Sequence, residues 1–205
     1  MSDEIIENPV AKVDFKEAKA LADLISIAND LGAVMLTCSR LMQILNDSPS
    51  DNILIENLWT GAIIRYARCF ATGKRFGLSE DIFKSLKGEP LKAHKFYIDT
   101  RNKHIAHSVN PFEQLEVGLV LSPKDSKKEV IGVAKLSMRY MSPDTEGVRT
   151  LGCLAKVAHQ KLSEKGKELE QKVLEVGKKM DIEDLYKRSR PRLTAPDPES
   201  AGNAR

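Results

Sequence analysis

The run from Phe15 to Asp47 limits most strongly what this chain can fold into. It contains no proline, and Leu21, Leu24, Ala28, Leu31, Met35, Cys38, Met42 and Leu45 follow one another at alternating steps of three and four. Such spacing lines one face of a long amphipathic α-helix. Ile25, Ile27, Val34, Leu41 and Ile44 widen the stripe beyond a coiled-coil seam, which predicts packing on several neighbours. Asn46-Asp47-Ser48-Pro49-Ser50 then breaks the pattern as a turn.

A second helix is expected from Asn52 to Thr72, with Ile55, Leu58, Trp59, Ala62, Ile63, Tyr66, Cys69 and Phe70 inward and Gly73 as its stop. Ser79 suits the N-cap of a short helix through Leu86, because Glu80 and Asp81 follow where the helix dipole favours anions. Pro90 opens another helix, running to about Ala106.

Beyond Pro111 the period changes to two. Leu115, Val117, Leu119 and Leu121 alternate with other residues, and so do Ala134, Leu136, Met138 and Tyr140. The polar loop from Ser122 to Lys128 makes these two antiparallel strands of a hairpin spanning 113–141. A hairpin alone is only marginally stable, so it is expected to lie against the helices or pair across subunits. Helical spacing returns at Val148, Leu151, Ala155, Ala158, Leu162, Leu169, Val173, Val176 and Met180, with the second half more exposed.

The fold class is therefore mainly α: an antiparallel helical bundle with a β-hairpin insertion and a long C-terminal helix. Residues 1–14 form an N-terminal segment, 15–182 the helical domain and 183–205 a basic tail without fixed structure, since Lys187-Arg188-Ser189-Arg190-Pro191-Arg192 leads into an end rich in Pro, Ser, Gly and Ala.

Charged residues make up 30% and apolar residues 41% of the 205 residues, as in a water-soluble domain. Aromatics are scarce at 5%, so aliphatic side chains and Met must fill the core. The net charge of +3 leans only weakly toward polyanions. Cys38, Cys69 and Cys153 are far apart and odd in number, which fits neither a disulfide framework nor a zinc knuckle and favours a reducing compartment. The N-terminus lacks the basic start and apolar run of a signal peptide, and polar residues are expected to interrupt every stretch before the roughly 18 to 20 residues that span a bilayer. Together these place the protein in the cytoplasm, away from membranes.

One segment gathers groups suited to chemistry: Arg101-Asn102-Lys103-His104-Ile105-Ala106-His107-Ser108, with two of the four histidines, at the end of a helix. On a continuous α-helix Arg101 and His107 stand about 9 Å apart along the axis and about 120° apart around it. Either the helix ends between them or two chains pool their groups. Cleaving RNA needs a base for the ribose 2′-OH, an acid for the leaving oxygen and a cation for the charge on phosphate. Histidine and arginine supply these without metal or cofactor.

The same segment resembles the signature of HEPN-domain ribonucleases, an Arg and a polar residue followed by four positions and a His. The resemblance is sharp over the motif and loose over the bundle from Phe15 to Ser108. It implies a homodimer in which two motifs meet at a shared cleft and cleave RNA without metal, in toxin-antitoxin or phage-defence systems, with an antitoxin or regulatory protein as a further partner. Carried over, Arg101 and His107 take the catalytic places and Asn102 that of the polar neighbour, with His104, Lys103 and Ser108 in support. Arg65 and Arg68 on the second helix and Lys95 on the helix before the motif are assigned to holding RNA. Some toxins of the family carry a modified Tyr two residues after the His; Val109 stands there, which argues against a modifying antitoxin.

Blander readings stand beside this one. Arg101 suits a surface ion pair and His107 a helix C-terminus. A metal site from His94, His104 and His107 lacks accompanying Cys or carboxylates. His159 reads as a surface residue, and Cys38 and Cys69 as packing residues. The principal alternative is a non-catalytic RNA-binding or protein-interaction helical module.

Overall fold

The computed structural model describes residues 8–47, 51–73, 75–105, 113–139, 143–190 and 199. The chain is mainly α with a β-hairpin. In order come β1 (Val10–Ala11), α1 (Lys16–Asp47), α2 (Asn52–Arg68), a 3-10 turn (Glu80–Phe83), α3 (Pro90–Asp99), a π-helix (Thr100–Ile105), β2 (Glu113–Leu121), β3 (Val130–Arg139), α4 (Thr145–Gly177), α5 (Ile182–Lys187) and β4 (Ser189–Arg190). Two compact units result, one from 23–165 and one from 1–22 with 166–205.

In the first unit, α1 buries Leu24, Ile27, Leu31, Val34, Cys38 and Leu41. The buried line thus takes Leu24, Leu31 and Cys38 from the first series of the sequence and Ile27, Val34 and Leu41 from the widening residues. Ile25, expected to widen the stripe, is 48% exposed. From the other helices Ile55, Ala62, Ile63, Tyr66, Tyr97, Val148, Leu151, Ala155 and Ala158 complete the core. By length and composition α1 could also cross a membrane, with a mean hydropathy of 1.4 over its best window. Asp23, Asp30 and Arg40 interrupt its apolar residues, as expected.

Asp51 caps α2, its carboxylate accepting from the Leu54 amide at 2.9 Å. The helix ends at Arg68, short of the predicted Thr72, because the amides of Cys69 and Phe70 turn back to the Tyr66 and Ala67 carbonyls. The Leu78 amide donates to the Cys69 carbonyl at 2.8 Å, which folds the chain back over the helix end. A Cβ on Gly77 would stand 2.7 Å from the Ala71 carbonyl oxygen, so this return requires glycine. Ser79 caps the next turn as predicted, accepting from the Asp81 amide, but the turn is 3-10 and stops at Phe83. Gly88, at φ 86°, takes the left-handed conformation that leads into Pro90.

β2 and β3 pair antiparallel from Glu113 opposite Arg139 to Leu121 opposite Val130, with a bulge beyond Val120. The hairpin stands where predicted, but its register sets Leu115, Val117 and Leu119 on one face and Ala134, Leu136 and Met138 on the other, and none of the described residues on its strands is buried.

In the second unit the expectation of an unstructured tail from 183 is corrected. Asp181 caps α5 by accepting from the Glu183 and Asp184 amides, and Ser189–Arg190 pair antiparallel with Val10–Ala11. The capping Asp with acids in the first turn is a helix-start signal that the basic run after it obscures. The second half of α4 is the more exposed, as expected, with Leu174 half exposed.

Candidate functional site

The motif begins where α3 changes its winding. Thr100 Oγ1 donates to the Phe96 carbonyl at 2.7 Å, an oxygen that also accepts from the Thr100 amide, and from there the backbone widens into a π-helix over Thr100–Ile105. The α-helical angle between motif positions therefore does not apply here. Lys103 pairs with Asp99 at 3.5 Å, and the Arg101 guanidinium donates to Asn102 Oδ1 at 3.0 Å. Arg101 and Asn102 are exposed and His104 half-buried.

Arg101 and Asn102 line a cleft of about 450 Å³ together with Arg68, Phe70, Glu80 and His94. His94 forms the inner wall, 4% exposed. Its ring packs on Phe70 and Phe83, with centroids 4.4 and 5.3 Å away, and its Nδ1 lies 2.9 Å from the Tyr66 hydroxyl. Tyr66 is fully buried. Were Nδ1 to carry the proton, the Tyr66 O–H would have no acceptor; with Nδ1 accepting, both groups are satisfied. The network thus assigns the proton to Nε2, a donor without a hydrogen-bond partner among the described residues. Burial pushes the His94 pKa down, only partly offset by Glu80, which favours the neutral ring.

Beside the cleft lies a cluster that the sequence reading missed. Asp30, 3% exposed on α1, receives Arg68 through both carboxylate oxygens and Arg75 at 3.1 Å, with Arg65 at 3.8 Å. Arg75 also donates to Ser26 Oγ and the Arg68 carbonyl. Arg65 and Arg68, expected on RNA, therefore also hold a buried carboxylate. A lone acid on the apolar stripe of α1, with two arginines a helical turn apart on α2, was the available signal. Burial alone would raise the Asp30 carboxyl, but the hydrogen bonds and charges of Arg68 and Arg75 outweigh it and hold the pKa below its ordinary value.

A depressed carboxylate pKa contributes stability that is present above the unfolded-state value and is lost as pH falls through the folded one. Asp30→Ala should cost about 2 kcal/mol at pH 7, below the full penalty of a buried pair because Arg65 and Arg68 remain half exposed. Urea unfolding should show the gap to the native chain narrowing below about pH 4. A gap of constant size down to pH 2 would contradict this assignment.

Of the other expected site residues, Lys95 is exposed on α3 and does not line the cleft. His107 and Ser108 lie outside the described residues. Among the described residues no group of His, Cys, Asp or Glu is arranged to hold a metal, and His94 is committed to Tyr66. Burial pushes the Cys38 and Cys69 thiols up to about 12, in keeping with packing roles.

Comparison with protein-family models, curated proteins and solved structures finds no match for the chain.

Proposed function

We propose that the protein is a metal-independent endoribonuclease of the HEPN type, acting as a homodimer. The observation that carries this reading is the cleft, where Arg101 and Asn102 of the motif stand with Arg68 and His94. Guanidinium groups and a neutral N–H donor suit phosphate oxygens, and Phe70 offers an aromatic wall. Glu80 on the same wall disfavours indiscriminate anion binding.

In the proposed reaction His107 takes the proton of the ribose 2′-OH, whose oxygen attacks phosphorus. The bond to the 5′ oxygen breaks, that oxygen receives a proton from a second acid, and a 2′,3′-cyclic phosphate and a 5′-OH remain. The second acid is His107 of the other copy, which makes pairing of two chains part of the reading. Arg101 neutralises charge building on the phosphate oxygens, and Asn102, through its hydrogen bond to Arg101, positions the guanidinium. His104, Lys103 and Ser108 support the site, and Lys95 tracks the RNA backbone. The three free cysteines suit a cytoplasmic setting, and the motif suggests growth restriction or phage defence under the control of a partner protein.

The test is selectivity between matched RNA and DNA strands of one sequence. RNA should be cut and DNA left whole, because DNA lacks the 2′-OH nucleophile. Cleavage of both would point to a nuclease using activated water, and RNA binding without cleavage to the non-catalytic module.

A further inference from the structure

The hairpin presents a face that nothing in its own unit covers. Leu115, Val117, Leu119 and Leu121 alternate on one side of β2, with Val133 opposite Leu119 and Val130 opposite Leu121. Directly opposed residues of an antiparallel pair share a face, so these six aliphatic side chains form one surface. Each is 57% to 83% exposed. The other face is mixed, with Gln114 opposite Met138 and Glu116 opposite Leu136.

We infer that this face packs against the same face of a second copy of the chain, the hairpins forming the contact that holds the proposed homodimer together. The area fits: six side chains so exposed offer on the order of 700 Å² per chain, close to the roughly 800 Å² that each partner gives a stable interface. Isologous packing needs a surface complementary to itself, and a patch on which six aliphatic side chains outnumber Ser137 and Lys135 meets that need. The charge pattern agrees. Lys135, opposite Val117, is the cation on this face among residues whose side chains are described, too sparse a charge for a nucleic-acid surface; its stem can lie along the aliphatic patch with the ammonium beyond the β3 edge. Two-stranded hairpins are marginal without further packing, and stacking two of them supplies it.

This rests on the dimer of the proposed function but is tested without RNA. The full chain, followed by light scattering across micromolar concentrations, should have the mass of two chains. Val117→Thr with Leu119→Thr, which leaves a β-branched strand former at both positions while removing apolar surface, should shift it to the mass of one, with helical circular dichroism unchanged. Hydrogen exchange in native protein should slow with rising concentration at the amides of β2 and β3. A native chain that stays monomeric, a double variant that still pairs, or a hairpin protected only on vesicles of anionic or neutral lipid would each overturn the inference. A persistent dimer that cuts RNA in the double variant refutes the hairpin contact and leaves the ribonuclease reading standing; a hairpin-dependent dimer inert on RNA does the reverse.

Discussion

Alanine at His107 should lower the rate of RNA cleavage by about two to four orders of magnitude, the usual worth of a positioned acid-base group. The loss should appear in the rate at saturating RNA, with binding little changed, because a side chain placed for proton transfer acts on the step rather than on holding the polyanion. Arg101→Lys should be impaired as well. Arg101 meets Asn102 through a planar guanidinium, and a point charge cannot reproduce that fork on phosphate oxygens. Arg101 is exposed, so the melting temperature of Arg101→Lys should remain near that of the native chain. Unaltered cleavage in His107→Ala would remove that residue from the chemistry.

The second large effect is on stability. Phe83 is fully buried, with its ring 5.8 Å from Phe70 and 5.3 Å from His94. Truncating it to alanine should cost about 3 to 5 kcal/mol, the transfer term plus the void left behind. The consequence reaches the cleft, since Phe83 is one of the surfaces that hold the His94 ring against Tyr66. Denaturant midpoints should fall accordingly, and any RNA affinity retained under native conditions should fall with them. A loss below about 1 kcal/mol would mean that the aromatic cluster closes over the gap.

That cluster shows where sequence reasoning stops. The helical periods, the Ser79 cap, Pro90 and the alternation of the hairpin are local signals, and the helices and strands they announce are present. The meeting of Tyr66, Phe70, Phe83, His94 and Tyr97 is a tertiary fact: a composition with few aromatics gave no warning that four of the eleven would gather beside His94. Asp30 is similar, since its three arginines come from α2 and the loop after it, and no local pattern links residues so far apart. The π-helix escaped because no proline or glycine marks the change of winding at Thr100, and helical spacing alone does not distinguish the two windings. Gly77 was passed over for Gly73, although the close approach of two carbonyls occurs at Gly77. Arg101 and Asn102 were legible as a candidate from their motif; that Arg68 and His94 share their cleft was not.

If this chain cleaves RNA through its own side chains, the ends of the product reveal it. Purified protein incubated with a single-stranded RNA in excess chelator should leave fragments ending in a 2′,3′-cyclic phosphate and beginning with a 5′-OH, as transesterification by the 2′ oxygen requires. Mass spectrometry of the fragments reads both ends at once. Cleavage that stops in chelator, returns with a divalent ion and leaves 5′-phosphate ends would contradict the account.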